Sequence, residues 1–321
     1  MDPIKNKIDV QDSLINRFKK FTDGYSDELL DKIFEYIDKF ARAKGFLVLE
    51  KESGFLLAEF AKKLVDDFKN SAYIGELGGL LGSFDELTQA NNLLLSVLNP
   101  EFDFDALNFS KEKKLVISEL TESLLRPESF KVNISNEVRK ILARKLLQGG
   151  SIKDLKAELT NAVSKSSQGG GILGRYVGQI TTDATLQYTG IVNDKIAKIG
   201  KFNAFGYTGS LIETSRVQCV RWRNDKNGIL LFDEKQAPYG YLPDEVKWAN
   251  ANGTGYGKKG STSYILLTKE NFSQYRGGYN CRHDALPFQW NDKKQKYFEK
   301  LDANFQKERA RLIEEQKNKK I

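Results

Sequence analysis

Over roughly the first two hundred residues, apolar side chains recur every three or four positions, a spacing that predicts a succession of amphipathic helices. Leu29, Ile33, Tyr36, Ile37 and Phe40 fall on one face of a segment that Ser26 is placed to open, because a serine oxygen can accept from the free N–H groups of a first turn. A second helix is predicted over residues 55–68, with Phe55, Leu56, Phe60, Leu64 and Phe68 in one stripe. Two more are predicted near 87–98 and 111–125. Pro100 and Pro127 bound them, since proline disfavours helical backbone in the residue before it.

Beyond Pro127 the helical spacing resumes. Val138, Ile141, Leu142 and Leu146 line one face of residues 136–147, and Gly149-Gly150 supplies a stop. Ser151 with Asp154 three positions on forms a variant of the capping box, opening a helix that carries Leu155, Leu159 and Val163. The longest helix is predicted over 172–199, with Tyr176, Ile180, Ala184, Tyr188, Val192, Ile196 and Ile199 in register and Gly200 as its end.

After Gly200 the pattern shortens. Residues 205–212, 229–232 and 263–267 combine β-branched and aromatic side chains over strand-like lengths, with a glycine-dense turn region over 251–260 between the last two. A final helix, capped by Asn291 or Asp292 and running to about residue 317, is predicted from the thin stripe Tyr297, Leu301, Phe305, Leu312 and Ile313. The fold class is therefore α+β: a mainly helical N-terminal two-thirds, a small glycine-rich β subdomain and a C-terminal helix. Three regions follow from this, an acidic helical region over 1–130, a mixed domain over 131–290 and a charged helix over 291–321.

Composition narrows the picture. A chain of 321 residues with 40% hydrophobic content can bury a substantial core. No run approaches the roughly 18 to 20 apolar residues that span a membrane, and the first residues carry no apolar signal core, so the expectation is a soluble chain that is not exported by the general secretory route. The net charge of +7 is unevenly distributed: residues 1–130 hold 17 Lys and Arg against 24 Asp and Glu, and the remainder holds 33 against 19. Such an acidic front and basic back can mark one surface that meets nucleic acid and another that meets something else, or simply two solvated faces.

Only two cysteines and one histidine occur in the chain. Cys219 stands in Thr214-Ser215-Arg216-Val217-Gln218-Cys219, and the other two stand together in Gly277-Gly278-Tyr279-Asn280-Cys281-Arg282-His283. Three readings of Cys219, Cys281 and His283 are open. They could hold a structural zinc ion, with Asp284, Asp225 or a residue the sequence does not identify as fourth ligand. The two cysteines could form a disulfide, closing a loop of about 60 residues and worth about 4 kcal/mol, although two cysteines in so long a chain suit a reducing compartment. Or both could be packed thiols in a small β subdomain, with Arg216 and Arg282 tying loop carbonyls or carboxylates.

The order of these elements carries a resemblance. A long helix ending Ala197-Lys198-Ile199-Gly200, then Phe205-Gly206-Tyr207-Thr208-Gly209-Ser210, then the Thr214, Arg216, Cys219 element, and finally the Asn280, Cys281, Arg282 element resemble the Mu F-like head morphogenesis proteins of tailed phages, which are minor capsid proteins. The likeness covers about residues 133–288. Many members carry a second cysteine where this chain has His283, and a histidine upstream that this chain lacks. The resemblance implies a non-enzymatic virion protein, built into the head in few copies beside the portal. Its implied partners are the portal protein and the major capsid or scaffold proteins, with non-specific contact to packaged DNA as a further expectation. The alternative is a metal-dependent enzyme acting on nucleic acid through Cys219, Cys281 and His283.

Overall fold

The computed structural model describes residues 2–38, 42–43, 46–47, 53–71, 82–125, 134–148, 151–164, 171–209, 211, 215–234, 238–252, 264–276 and 283–318. Its architecture is α+β, mostly helical, with a small mixed sheet late in the chain and a helix at the C-terminal end. No helix among the described residues is long and apolar enough to cross a membrane. The chain divides into two compact units: one comprises residues 1–13, 83–116 and 182–321, the other residues 14–82 and 117–181.

Helix α1 runs unbroken over Pro3–Ile37, well upstream of its expected start. Ser26 is not a cap. It lies inside the helix and its hydroxyl donates to the Thr22 carbonyl at 2.9 Å, as Thr22 does to Phe18 at 2.8 Å. The upstream turns escaped the periodicity because Lys7 and Gln11 occupy buried positions that an apolar stripe would fill.

The second unit holds the rest of α1, a two-residue hairpin in which β1 (Arg42–Ala43) pairs with β2 (Phe46–Leu47), and helices α2 (Ser53–Lys69), α5 (Asn136–Gln148) and α6 (Ile152–Val163). It also takes parts of α4 (Ser110–Leu125) and α7 (Ile172–Ile199). Tyr36 ties α1 to α2 within it, edge-on to Phe60 at 5.2 Å and bonded to Asp67 at 3.1 Å. The Ser151 cap forms as its sequence predicts, accepting from the Asp154 N–H at 3.1 Å, and Leu155, Leu159 and Val163 are buried.

In the first unit, α3 (Phe84–Leu98) and the later part of α7 flank a four-stranded sheet. Helix α7 has the predicted bounds, but its closing residue differs. Lys201, not Gly200, takes the left-handed conformation (φ 50), and the Phe202 N–H reaches back to the Ala197 carbonyl at 3.0 Å. Gly200 instead leaves room for the Phe202 ring, which a Cβ there would meet at 2.8 Å. Ile199, expected on the apolar stripe, is exposed.

Strands β3 (Ala204–Thr208), β4 (Ile229–Leu231), β5 (Gly240–Tyr241) and β6 (Asp284–Phe288) line up in the order β5-β4-β3-β6, antiparallel except for the β4–β5 pair. A strand was expected over 263–267. Residues 264–267 form none: the Leu267 N–H and carbonyl are both taken by the Asn250 side chain, at 2.9 and 2.7 Å, on helix α9 (Leu242–Ala251). The unpredicted β6 carries a buried Asp284 and Pro287, neither typical of a strand. It is an edge strand, so Pro287 removes no ladder bond. Its outward carbonyls at Ala285 and Pro287 accept from Asn193 at 2.8 Å and Asn99 at 3.0 Å, closing the edge with side chains.

The final helix, labelled α11 because two single turns, α8 (Val217–Val220) and α10 (Phe272–Tyr275), precede it, spans Asp292–Asn318 and is capped by Asn291, whose side chain accepts from the Lys294 N–H at 2.9 Å. Its buried face is Phe298, Leu301, Phe305 and Arg309; Tyr297, expected in that stripe, faces outward. Phe298 lies over Gly206, where a Cβ would come within 2.2 Å of the ring.

Candidate functional site

Cys219 and His283, two of the candidate site residues, meet at Tyr207, which the sequence marked only as part of the run from Phe205 to Ser210. Tyr207 is fully buried on β3, where all five positions are inside. The His283 imidazole stacks on its ring at a centroid distance of 5.0 Å and an angle of 9°, and its hydroxyl donates to Cys219 Sγ at 3.2 Å. Trp222 packs edge-on against the same ring at 5.2 Å and against Phe272 at 5.1 Å.

Local structure explains how Cys219 gets there. Helix α8 buries Gln218 and Cys219 while leaving Val217 and Val220 outside. A wider, π-helical turn over Arg221–Asp225 follows and keeps Trp222 inside, the sort of irregularity that re-aims side chains within a short segment. The chain returns through Gly228, whose carbonyl accepts from the Tyr207 N–H at 2.6 Å. His283 is held by the opposite edge of the strand. Gly209 has φ +136, and a Cβ there would meet the His283 ring at 2.8 Å, so glycine is required both for conformation and for space.

Beneath His283 lies a buried charge network. Arg276 donates through Nε to the His283 carbonyl at 2.6 Å, through Nη1 to the Ser273 carbonyl, and through Nη2 to Asp284 Oδ1 at 3.1 Å. Lys7 pairs with the other Asp284 oxygen at 3.1 Å. Burial pushes the Asp284 carboxyl up, but Lys7 and Arg276 outweigh it and hold the group below the usual carboxylate range. Burial lowers Lys7, and the charges of Arg276 and Arg309 add to that against the pull of Asp284. Arg309 in turn pairs with Asp12 at 3.2 Å, so α1 and α11 are both fastened around the start of β6.

A second set of bonds ties α11 to β3. Thr208 Oγ1 donates to Asp302 Oδ1 at 2.5 Å, and Arg223 donates to Asp302 Oδ2 at 2.7 Å and to the Tyr207 carbonyl at 3.2 Å. Asp194, on α7, is the other buried carboxyl of note. Burial pushes it up to about 8, against the opposing charges of Lys198 and Arg276.

Several sequence-based assignments change. Arg216 sits at the N-terminal boundary of α8 and its carbonyl accepts from the Val220 N–H at 3.1 Å, but among the described residues its side chain ties no carbonyl or carboxylate. That work is done by Arg276, which lies one position before the quoted glycine pair and looks in the sequence like any surface arginine. Asp284, named as a zinc ligand, has both oxygens engaged by cations; Asp225 is exposed at the end of the π-helical turn. Among the described residues no three His, Cys, Asp or Glu side chains are grouped so as to hold a metal ion. Thr214, Gly277, Gly278, Asn280, Cys281 and Arg282 lie outside the described residues. Tyr207 was legible only as one aromatic of the run from Phe205 to Ser210, and Lys7, upstream of the first predicted helix, carried no signal.

Compared with known protein families, curated proteins and solved structures, the chain matches none.

Proposed function

We propose that this chain is a non-catalytic minor head protein of a tailed phage, of the Mu F-like kind, acting in head morphogenesis. In this reading it resides in the virion, beside the portal, and its partners are the portal protein and the major capsid or scaffold proteins, with non-specific contact to packaged DNA. The observation that supports it is the convergence of Cys219 and His283 on Tyr207. Cys219 belongs to the first sequence element that carries the resemblance and His283 directly follows the second; the two residues lie on either side of β4, β5 and α9 in the chain, yet both pack on Tyr207 within a single unit. The small β subdomain then serves as a rigid platform, with the buried Arg276, Asp284 and Lys7 fixing its edge.

The test is mass spectrometry of procapsids and virions of the phage whose genome carries the gene, with copy number set against the portal protein. A few copies per particle support the reading, and absence from both particles overturns it. Elemental analysis and a nuclease assay on the purified chain address the competing reading. A stoichiometric metal together with DNA cleavage that is lost in the Cys219→Ser variant would replace the structural role with an enzymatic one.

A further inference from the structure

The outward face of α11 separates its cations in a way that composition alone conceals. Lys294 pairs with Glu101, Arg309 with Asp12, and Arg311 with Glu308 and Glu315. Lys293, Lys296, Lys300 and Lys307 are all exposed, and none has an ion-pair partner among the described residues. At 100° per residue these four fall within an arc of about 60°, on the side of the helix away from Phe298, Leu301 and Phe305. Lys293, Lys300 and Lys307 are spaced by two turns, about 10 Å apart along the axis. Tyr297, 54% exposed, stands beside this row instead of in the core.

We infer that this face of α11 is a contact surface for the phosphate backbone of duplex nucleic acid. Four ammonium groups that pair with no carboxylate among the described residues, carried on one continuous helix, form a row of point charges. Such an array gains by releasing the counterions condensed on a phosphate backbone and needs no base sequence to do so. Tyrosine hydroxyls are among the groups that reach phosphate oxygens. The helix is anchored to the sheet through Asp302, Thr208 and Arg223, so the row is presented on a fixed support. The inference deepens the proposed contact with packaged DNA and rests on that reading for which nucleic acid is met in the particle. The binding itself is measurable on the isolated chain.

The experiment is fluorescence anisotropy of the full chain with a random-sequence DNA duplex, titrated at several NaCl concentrations. Four phosphate contacts give a slope of log affinity on log salt near −4, so affinity should fall about 10²-fold between 50 and 200 mM salt. The variant carrying Lys293→Gln, Lys296→Gln, Lys300→Gln and Lys307→Gln should lose the slope and most of the affinity at low salt, while its circular dichroism and unfolding midpoint stay those of the wild type. A control with Lys62→Gln, Arg139→Gln, Lys140→Gln and Lys153→Gln, removing the same charge from exposed positions of the other unit, should bind within about twofold of wild type. Equal loss in the control would reduce the effect to net charge and overturn the inference. So would wild-type binding by the quadruple variant, or tighter wild-type binding to polyglutamate than to DNA, which would assign the row to an acidic protein. Failure here leaves the particle copy number untouched, so it is separable from failure of the head-protein reading.

Discussion

The Lys7 ammonium lies 3.1 Å from the Asp284 carboxylate with both side chains buried, joining the first turns of the chain to the edge strand of its sheet. The pair is asymmetric. Asp284 has a second cation in Arg276, whereas Lys7 has no other carboxylate partner among the described residues and sits near two further positive charges. Removing Asp284 therefore strands two buried cations, and Asp284→Ala should cost about 3–5 kcal/mol. Lys7→Met should cost much less, because Asp284 keeps Arg276 and a desolvated ammonium is removed. Urea unfolding of the two variants checks the ordering; equal losses would mean that Arg276 does not compensate.

The same pair sets an acid limit. The Asp284 pKa is depressed in the fold, so its contribution is complete above the unfolded value near 4 and is lost as pH falls through the lower, folded value. Wild type and Asp284→Asn should therefore converge in stability on acidification below about pH 4. A difference that stays constant down to pH 2 would assign the stabilisation to shape and hydrogen bonding instead of charge.

Asp194 has the opposite sign. Burial raises its folded pKa to about 8, so between the unfolded value near 4 and pH 8 the folded state holds a proton that the unfolded state has released. Stability should fall with rising pH across that window, at up to about 1.4 kcal/mol per pH unit from this one group. The stability of Asp194→Asn minus that of wild type should accordingly grow from pH 4 to pH 8 and level off above it. A flat difference across the window would mean that the carboxyl ionises normally in the fold.

Helices were legible where apolar spacing and a cap agree, as for Ser151 with Leu155, Leu159 and Val163. They were misread where polar residues occupy buried positions, as Lys7 and Gln11 do in α1. Strand β6 was hidden for the same reason: its Asp284 is satisfied by Lys7, far away in sequence, together with Arg276, and its Pro287 is tolerated only because the strand is at an edge. Cys219 and His283 stood out by scarcity and by their place in or beside the two short elements that carry the resemblance. Their meeting on Tyr207 could not be read, because it depends on the π-helical turn after Cys219 and on the β3–β6 register, both of which are tertiary facts. Arg276 belongs to a common residue type in unremarkable local sequence, and nothing in the run around Tyr207 marks that ring as the meeting point, so only the fold identifies their roles.

The asparagine edge makes a prediction of its own. Asn193 accepts from Asn91 Nδ2 at 2.8 Å and donates to the Ala285 carbonyl at 2.8 Å, with both asparagines buried. Asn193→Ala leaves a buried donor and a buried acceptor without these partners and should cost about 1–3 kcal/mol for each group left unpaired. The double variant Asn91→Ala with Asn193→Ala should cost less than the sum of the two single ones, because the bond between them is lost only once. Strict additivity in a urea-denaturation cycle would show that the two side chains are not coupled.

Gly206 and Phe298 test whether α11 is locked to the sheet. The strand has no side chain at 206, and the Phe298 ring fills that space while stacking on Phe288 at 5.5 Å and 14°. A methyl group at 206 would come within 2.2 Å of a ring that is itself backed by another, so the helix must shift as a body. Gly206→Ala should therefore destabilise by about 1–3 kcal/mol through overpacking. Limited trypsin digestion should then cut first within α11, at lysines that the docked helix protects. Adding Phe298→Leu shortens the opposing side chain and should restore part of both the stability and the protection. If Gly206→Ala leaves the urea midpoint and the digestion pattern unchanged, the close approach of Phe298 to the strand is not what holds the C-terminal helix, and the anchoring falls to Asp302 with Thr208 and Arg223.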